Sequence, residues 1–155
     1  TIADIRASSH ALRPLLLRRF GLSAALRGLV DELDGVSELH WTADIDDLSG
    51  LLESDDEINL YRIVQEAANN TMRHARARSA RITVRRVDAG IHVEIFDDGR
   101  GWLQPATGKQ GSGNGMGIDG MRHRAELLGA TLHIDSAPER GTRIVLDIPS
   151  RTSPS

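Results

Sequence analysis

The chain has 155 residues, 39% of them apolar and 26% charged, with a net charge of −3 and no cysteine. That is the length of one domain with an ordinary globular composition, enough to build a real core. It excludes disulfides and thiolate metal sites, counts against a dedicated nucleic-acid binder, and holds no apolar run near the roughly 18 residues a membrane helix needs. The lack of cysteine fits a reducing compartment. No signal peptide is evident, and a first residue other than Met leads to the expectation of a piece cut from a longer protein.

Residues 1–12 read as helical, with Ile2, Ile5 and Leu12 apolar, and Pro14 should end or bend that helix. Leu15, Leu16, Leu17 and Phe20 form an apolar knot before Gly21 breaks the chain. Residues 23–33 predict a second helix buried through Leu26, Leu29, Val30 and Leu33, with Gly35 closing it. Residues 37–43 alternate and predict a strand with Leu39, Trp41 and Ala43 inward. The acidic stretch 44–57 reads as a loop, with Ser54 or Asp55 capping the next helix.

That next helix, through His74 and Ala75, carries two faces. Leu60, Val64, Ala67, Ala68, Thr71 and Met72 recur at helical spacing. Glu66, Asn70, Arg73 and His74 share another face, where an amide oxygen and a carboxylate suit magnesium and the cations suit phosphate. A plain solvated face is the competing reading. Residues 81–86 and 91–96 are strands joined by a short hairpin loop ending at Gly90. Residues 102–117 have no periodicity and carry Gly108, Gly111, Gly113, Gly115 and Gly117. Residues 118–128 predict a helix capped by Gly129, and residues 131–135 and 142–148 predict two more strands. The tail from Pro149 is polar. This order, with hairpins at both ends, predicts an α+β fold: a mixed sheet with its helices on one face.

Two glycine motifs carry chemistry. Asp97-x-Gly99-x-Gly101 leaves a strand end, where a carboxylate can accept a hydrogen bond from an exocyclic amine and bare backbone can approach a flat ring. A simple turn is the alternative. Gly113-Asn114-Gly115-Met116-Gly117 runs into a helix start, where free N–H groups favour an anion. A surface linker is the alternative there. The second motif lacks the Gly-Lys-Ser/Thr ending of a Walker loop.

Together, Gln65-Glu66-Ala67-Ala68-Asn69-Asn70-x-x-Arg73-His74-Ala75, Asp97-Asp98-Gly99-Arg100-Gly101 and Gly113 to Ile118 resemble the N box and two glycine boxes of sensor histidine kinase ATP-binding domains, within the gyrase, Hsp90, histidine kinase and MutL superfamily. Gly141-Thr142 matches the Gly-Thr that this family carries before its last strand. The run from Gly120 to Gly129 resembles the group paired with NarL/LuxR-type response regulators.

The resemblance implies a two-layer α/β sandwich of the Bergerat type, with a Gly-rich ATP lid over Trp102 to Met116. It implies ATP and Mg²⁺ as ligands: Asn70 on the metal, Glu66 orienting a metal-bound water or assisting proton transfer, and Arg73 and His74 on phosphate. Asp97 would read adenine, and Gly99 and Gly101 would shape its pocket. Gly113, Gly115, Met116 and Gly117 would belong to the lid and its helix, and Thr142 would support the adenine pocket through its hydroxyl or a water.

It also implies residues 1–35 as hairpin end and linker helix, 36–149 as the catalytic domain and 150–155 as tail. The partners implied are a dimerisation domain carrying the phosphoacceptor histidine, absent here, and a response regulator. The whole protein would be a homodimer, cytoplasmic in this part. His10 lacks the acid that follows a phosphoacceptor histidine and reads as a helix-surface or linker residue. Asp98 stands where Asn is commoner and would weaken nucleotide binding if it faced the site. Asn69 and His123 are further departures. Two alternatives share the motifs: a serine protein kinase of the anti-sigma-factor type, and a degenerate nucleotide- or protein-binding module.

Overall fold

The computed structural model describes residues 17–74, 76–99, 114–137 and 139–150, the side chains of 74 and 114–117 excepted. After a helical stretch over residues 17–20, the elements run α1 (Leu22–Val36), β1 (His40–Ile45), α2 (Ser54–His74), β2 (Ser79–Val87), β3 (Gly90–Asp97), α3 (Asn114–Leu127), β4 (Thr131–Ser136) and β5 (Thr142–Pro149). The expected order is present. The helix over residues 1–12 and most of the expected lid, residues 102–113, lie outside the described residues.

The five strands form one sheet in the order β1-β2-β3-β5-β4. β1 and β2 pair in parallel, because α2 carries the chain back between them, and the remaining pairs are antiparallel. β2 and β3 form a hairpin across Asp88 and Ala89, with Val87 opposite Gly90. One sheet face is apolar on every strand. Ile82, Val84, Ile91, Val93, Ile95, Ile144, Leu146 and Ile148 point into a single core with α2, α3 and α1. Alternation along β2, β3 and β5 decides which face is covered.

α1 is tied to that core by more than its stripe. Ala25, Leu26, Leu29, Val30 and Leu33 are buried, and Leu17 joins them from the stretch before it. Arg27 Nη2 donates to the Ile45 carbonyl at 2.6 Å, and Ser23 Oγ donates to the Asp46 carbonyl at 3.0 Å. The Trp41 N–H donates to Asp34 Oδ1 at 2.9 Å. Residues 22–35, expected to serve as a linker helix, therefore pack into the same core as the sheet.

Some details differ from the sequence reading, each for a tertiary reason. Gly35 sits inside α1. Ser37 closes the helix instead, its N–H and Oγ both donating to the Leu33 carbonyl. β1 begins at His40 and reaches Ile45, and Ala43 is exposed on this edge strand. Met72 and Phe20 are exposed, while Tyr61 and Ile63 are buried, because α2 is covered by sheet, α1 and α3 on several sides. α3 starts four residues before Ile118.

Element directions bring the ends together. β2 starts, β3 ends and β5 starts at one edge of the sheet, where Ala80, Asp97, Thr142 and Ser136 form a row across four strands. α2 enters β2 through residues 75–78, so its C-terminal end lies at that edge. α3 enters β4 through residues 128–130, and β4 runs toward the same row, so α3 begins there too.

Leu26→Ala should lower unfolding stability by about 2–5 kcal/mol, read as an earlier urea midpoint. If α1 were a detachable linker, the midpoint would not move.

Candidate functional site

The edge where these ends meet holds one deeply buried acid. Asp97, the last residue of β3, is 2% exposed. Its Oδ1 accepts the Gly99 N–H at 3.0 Å, and its carboxylate also accepts the Thr142 backbone N–H. Thr71 Oγ1 reaches Oδ2 at a long 3.5 Å while also donating to the Ala67 carbonyl at 3.2 Å. Burial pushes this carboxyl above its ordinary range; the hydrogen bonds from Gly99, Thr142 and Thr71 pull the other way without cancelling it, and Asp98 beside it pushes it up further.

The turn after β3 is built against Gly141. That residue has φ 78°, and a Cβ on it would sit 2.1 Å from the Asp97 carbonyl oxygen. A side chain is excluded twice over, by conformation and by space. The Gly-Thr pair thus has a physical cause: glycine lets β5 come close enough for the Thr142 N–H to meet Asp97. The Thr142 hydroxyl lies 2.8 Å from Ser136 Oγ, so its contact with Asp97 is made by backbone.

On α2, Asn70 is 5% exposed, and its amide meets no hydrogen-bond partner among the described residues. Glu66 lies one turn earlier and is half-buried. Arg73 is exposed, and His74 closes the helix. Because Thr71 touches Asp97, this turn of α2 adjoins the end of β3. Gly99 is buried beside Asp97. Gly115, Met116 and Gly117 fall in the first turn of α3, while Gly101 and Gly113 lie outside the described residues.

Two residues were missed by sequence reasoning, and a third was known only by resemblance. Thr71 was placed with the residues of helical spacing that face the core, Ser136 drew no attention, and Gly141 was named for its match to the family. Each acts across strands or between helix and sheet, where no local pattern points. Asp98 is tied to the start of β2. Its Oδ1 accepts the Arg78 and Ser79 N–H groups at 2.9 and 3.0 Å, and its Oδ2 accepts the Ser79 hydroxyl at 2.9 Å. These bonds from Ser79 and Arg78 hold its carboxyl below the ordinary range.

No group of three or more His, Cys, Asp or Glu able to hold a metal exists among the described residues. A metal at this edge would take one amide oxygen from Asn70 and the rest of its shell from ligand and water. That sparse protein donor set suits magnesium, which keeps several waters and is shared with phosphates.

A model of the histidine kinase-, DNA gyrase B- and HSP90-like ATPase family matches residues 55–152. The oxygen sensor histidine kinase NreB of Staphylococcus carnosus (strain TM300) is 32% identical over 148 residues, covering 96% of this chain and 42% of that protein. Among solved structures, the Erythrobacter litoralis EL346 blue-light activated histidine kinase superposes with TM-score 0.76 at 19% identity, over 96% of this chain and 50% of that one. The ATP binding domain of PrrB from Mycobacterium tuberculosis gives 0.63 at 20% identity, over 84% and 95%. The two structures establish the fold. The chain spans less than half the length of the NreB relative.

Two predictions follow from Asp97 and its neighbour. Asp97 binds its proton more tightly folded than unfolded, so its contribution to stability is full below pH 3.8 and is lost as pH rises through the raised folded value. Asp97→Asn should therefore melt higher than wild type at pH 7, with the gap closing below pH 3.8. Gly141→Ala should destabilise by more than about 1 kcal/mol in urea unfolding, since alanine is placed at positive φ.

Proposed function

Since this chain belongs to the histidine kinase-, DNA gyrase B- and HSP90-like ATPase family, we propose that it is the ATP-binding catalytic part of a two-component sensor histidine kinase. The observation that carries the reading is the buried, hydrogen-bonded Asp97 carboxyl at the same sheet edge as the buried Asn70. An acceptor fixed in a dry recess selects a base with an exocyclic amine.

The assigned roles are these. Asp97 accepts from the adenine amine, with Gly99 and Gly101 shaping the recess. Thr142 holds Asp97 through its backbone N–H. Asn70 would hold Mg²⁺, and Glu66 would orient a water beside it or assist proton transfer. Mg²⁺, when bound, neutralises phosphate charge during phosphoryl transfer. Arg73 and His74 would supply cationic contacts to phosphate. Gly113, Gly115, Met116 and Gly117 border the lid, and the start of α3 offers N–H groups to the phosphates.

In the whole protein the γ-phosphoryl would pass to a histidine on a dimerisation domain outside this chain, and from there to a NarL/LuxR-type response regulator. Such a protein would act as a homodimer, with this part in the cytoplasm. No helix among the described residues is long and apolar enough to cross a membrane. The serine kinase alternative is not favoured, because the NreB match runs over 96% of the chain, including the segment before residue 55. The intact Asn70 and Asp97 disfavour the degenerate module.

Calorimetric titration with a non-hydrolysable ATP analogue, with and without Mg²⁺, tests the reading. Wild type should bind in a magnesium-dependent way. Asn70→Ala should lose the magnesium dependence, and Asp97→Ala should lose binding while still folding. Equal binding by all three proteins would sink the assignment.

A further inference from the structure

Two adjacent aspartates leave β3 with opposite fates. Asp97 is buried and bonded to the Gly99 and Thr142 N–H groups, whereas Asp98 is exposed and faces the start of β2. Four hydrogen bonds join Asp98 to two residues, Arg78 and Ser79. The Asp98 N–H donates to the Ser79 carbonyl at 3.2 Å, and the carboxylate accepts two backbone N–H groups and the Ser79 hydroxyl. β2 and β3 pair only as far as Ala80 and Asp97, so this cluster extends their union one step past the ladder. Gly99, the next residue, donates its N–H to Asp97 Oδ1.

We propose that Asp98 is a positioning residue for the base-reading site: it clamps the turn after β3 onto the start of β2 and so holds the Gly99 N–H on the Asp97 carboxylate. This rests on the nucleotide reading of Asp97 given above.

The geometry separates the clamp from a simple electrostatic role. A carboxylate that only repelled nucleotide would, on removal, let ATP bind more tightly. A clamp, on removal, loosens Gly99 and frees Asp97 to turn, so ATP binds less tightly. The two readings differ in sign. Ionisation favours the clamp, because both carboxylate oxygens of Asp98 accept hydrogen bonds and an amide would keep one acceptor oxygen for the two N–H donors. Asp98→Asn therefore preserves most of the tie, while Asp98→Ala removes all of its side-chain bonds. Ser79→Ala removes one bond and leaves the rest.

The experiment has two readouts on the chain as it stands. Amide hydrogen exchange at Gly99, followed by NMR without nucleotide, reports the clamp directly. Titration with the ATP analogue reports its effect on the site. Asp98→Ala should exchange faster at Gly99 and bind the analogue at least about tenfold more weakly. Asp98→Asn should restore both toward wild type. Ser79→Ala should show a smaller effect of the same sign, and adding it to Asp98→Ala should change little further. Should Asp98→Ala unfold, the Ser79→Ala and Asp98→Asn pair carries the test. Unchanged Gly99 exchange, or tighter ATP binding in Asp98→Ala, overturns the proposal. A wild type that takes up no analogue overturns the nucleotide reading and the positioning role with it, and is told apart because the Gly99 amide still responds.

Discussion

The site depends on keeping a carboxylate in a place that water does not reach. Asp97 is almost fully buried, and its charge is costly there unless donors are already aimed at it. The fold supplies two backbone N–H groups, from Gly99 and Thr142, and a distant hydroxyl from Thr71. Backbone donors need no side-chain ordering, but they must be brought to position by strand register. The antiparallel pairing of Asp97 with Thr142 is therefore as much a part of the site as the acid itself.

Register in turn demands the glycine. β5 can lie against the end of β3 only if residue 141 has no Cβ and adopts positive φ. A second close approach occurs at the opposite edge, where a Cβ on Gly90 would lie 1.9 Å from the Ile148 carbonyl oxygen. Both ends of the β3–β5 pair are thus closed by bare backbone. Between them the strands are filled with Ile91, Val93, Ile95, Ile144, Leu146 and Ile148. The core fixes which face points inward, and the two glycines fix how closely the strands approach at their ends.

Much of this was readable from the chain. Alternation in residues 81–86, 91–96 and 142–148 gave the strands, and helical spacing gave α2 and most of its buried stripe. The spacing of Asn70, Asp97 and the glycine run gave the resemblance, and with it the family. What escaped depended on partners distant in sequence. Thr71 looks like a small core residue until β3 is placed beside it. Asp98 looks like an added negative charge at the pocket until the Arg78 and Ser79 amides are seen to face it. Gly35 looks like a helix stop, yet Ser37 supplies the hydrogen bonds that end α1. Met72 fits the stripe by period but is 38% exposed.

The insertion of β5 between β3 and β4 has a consequence for how the chain is made. β5 is the last strand among the described residues, and it pairs with β3 across α3 and β4. During synthesis, α1 to β3 can emerge and form the β1-β2-β3 part of the sheet while β3 still shows an open edge. Asp97 then lacks its Thr142 donor. Such long-range pairings carry a high loop-closure cost and form late. A nascent chain would hold its β2–β3 hairpin well before it held a finished acceptor at Asp97, so the hydrogen-bonded carboxyl would be completed in one step, with the arrival of β5.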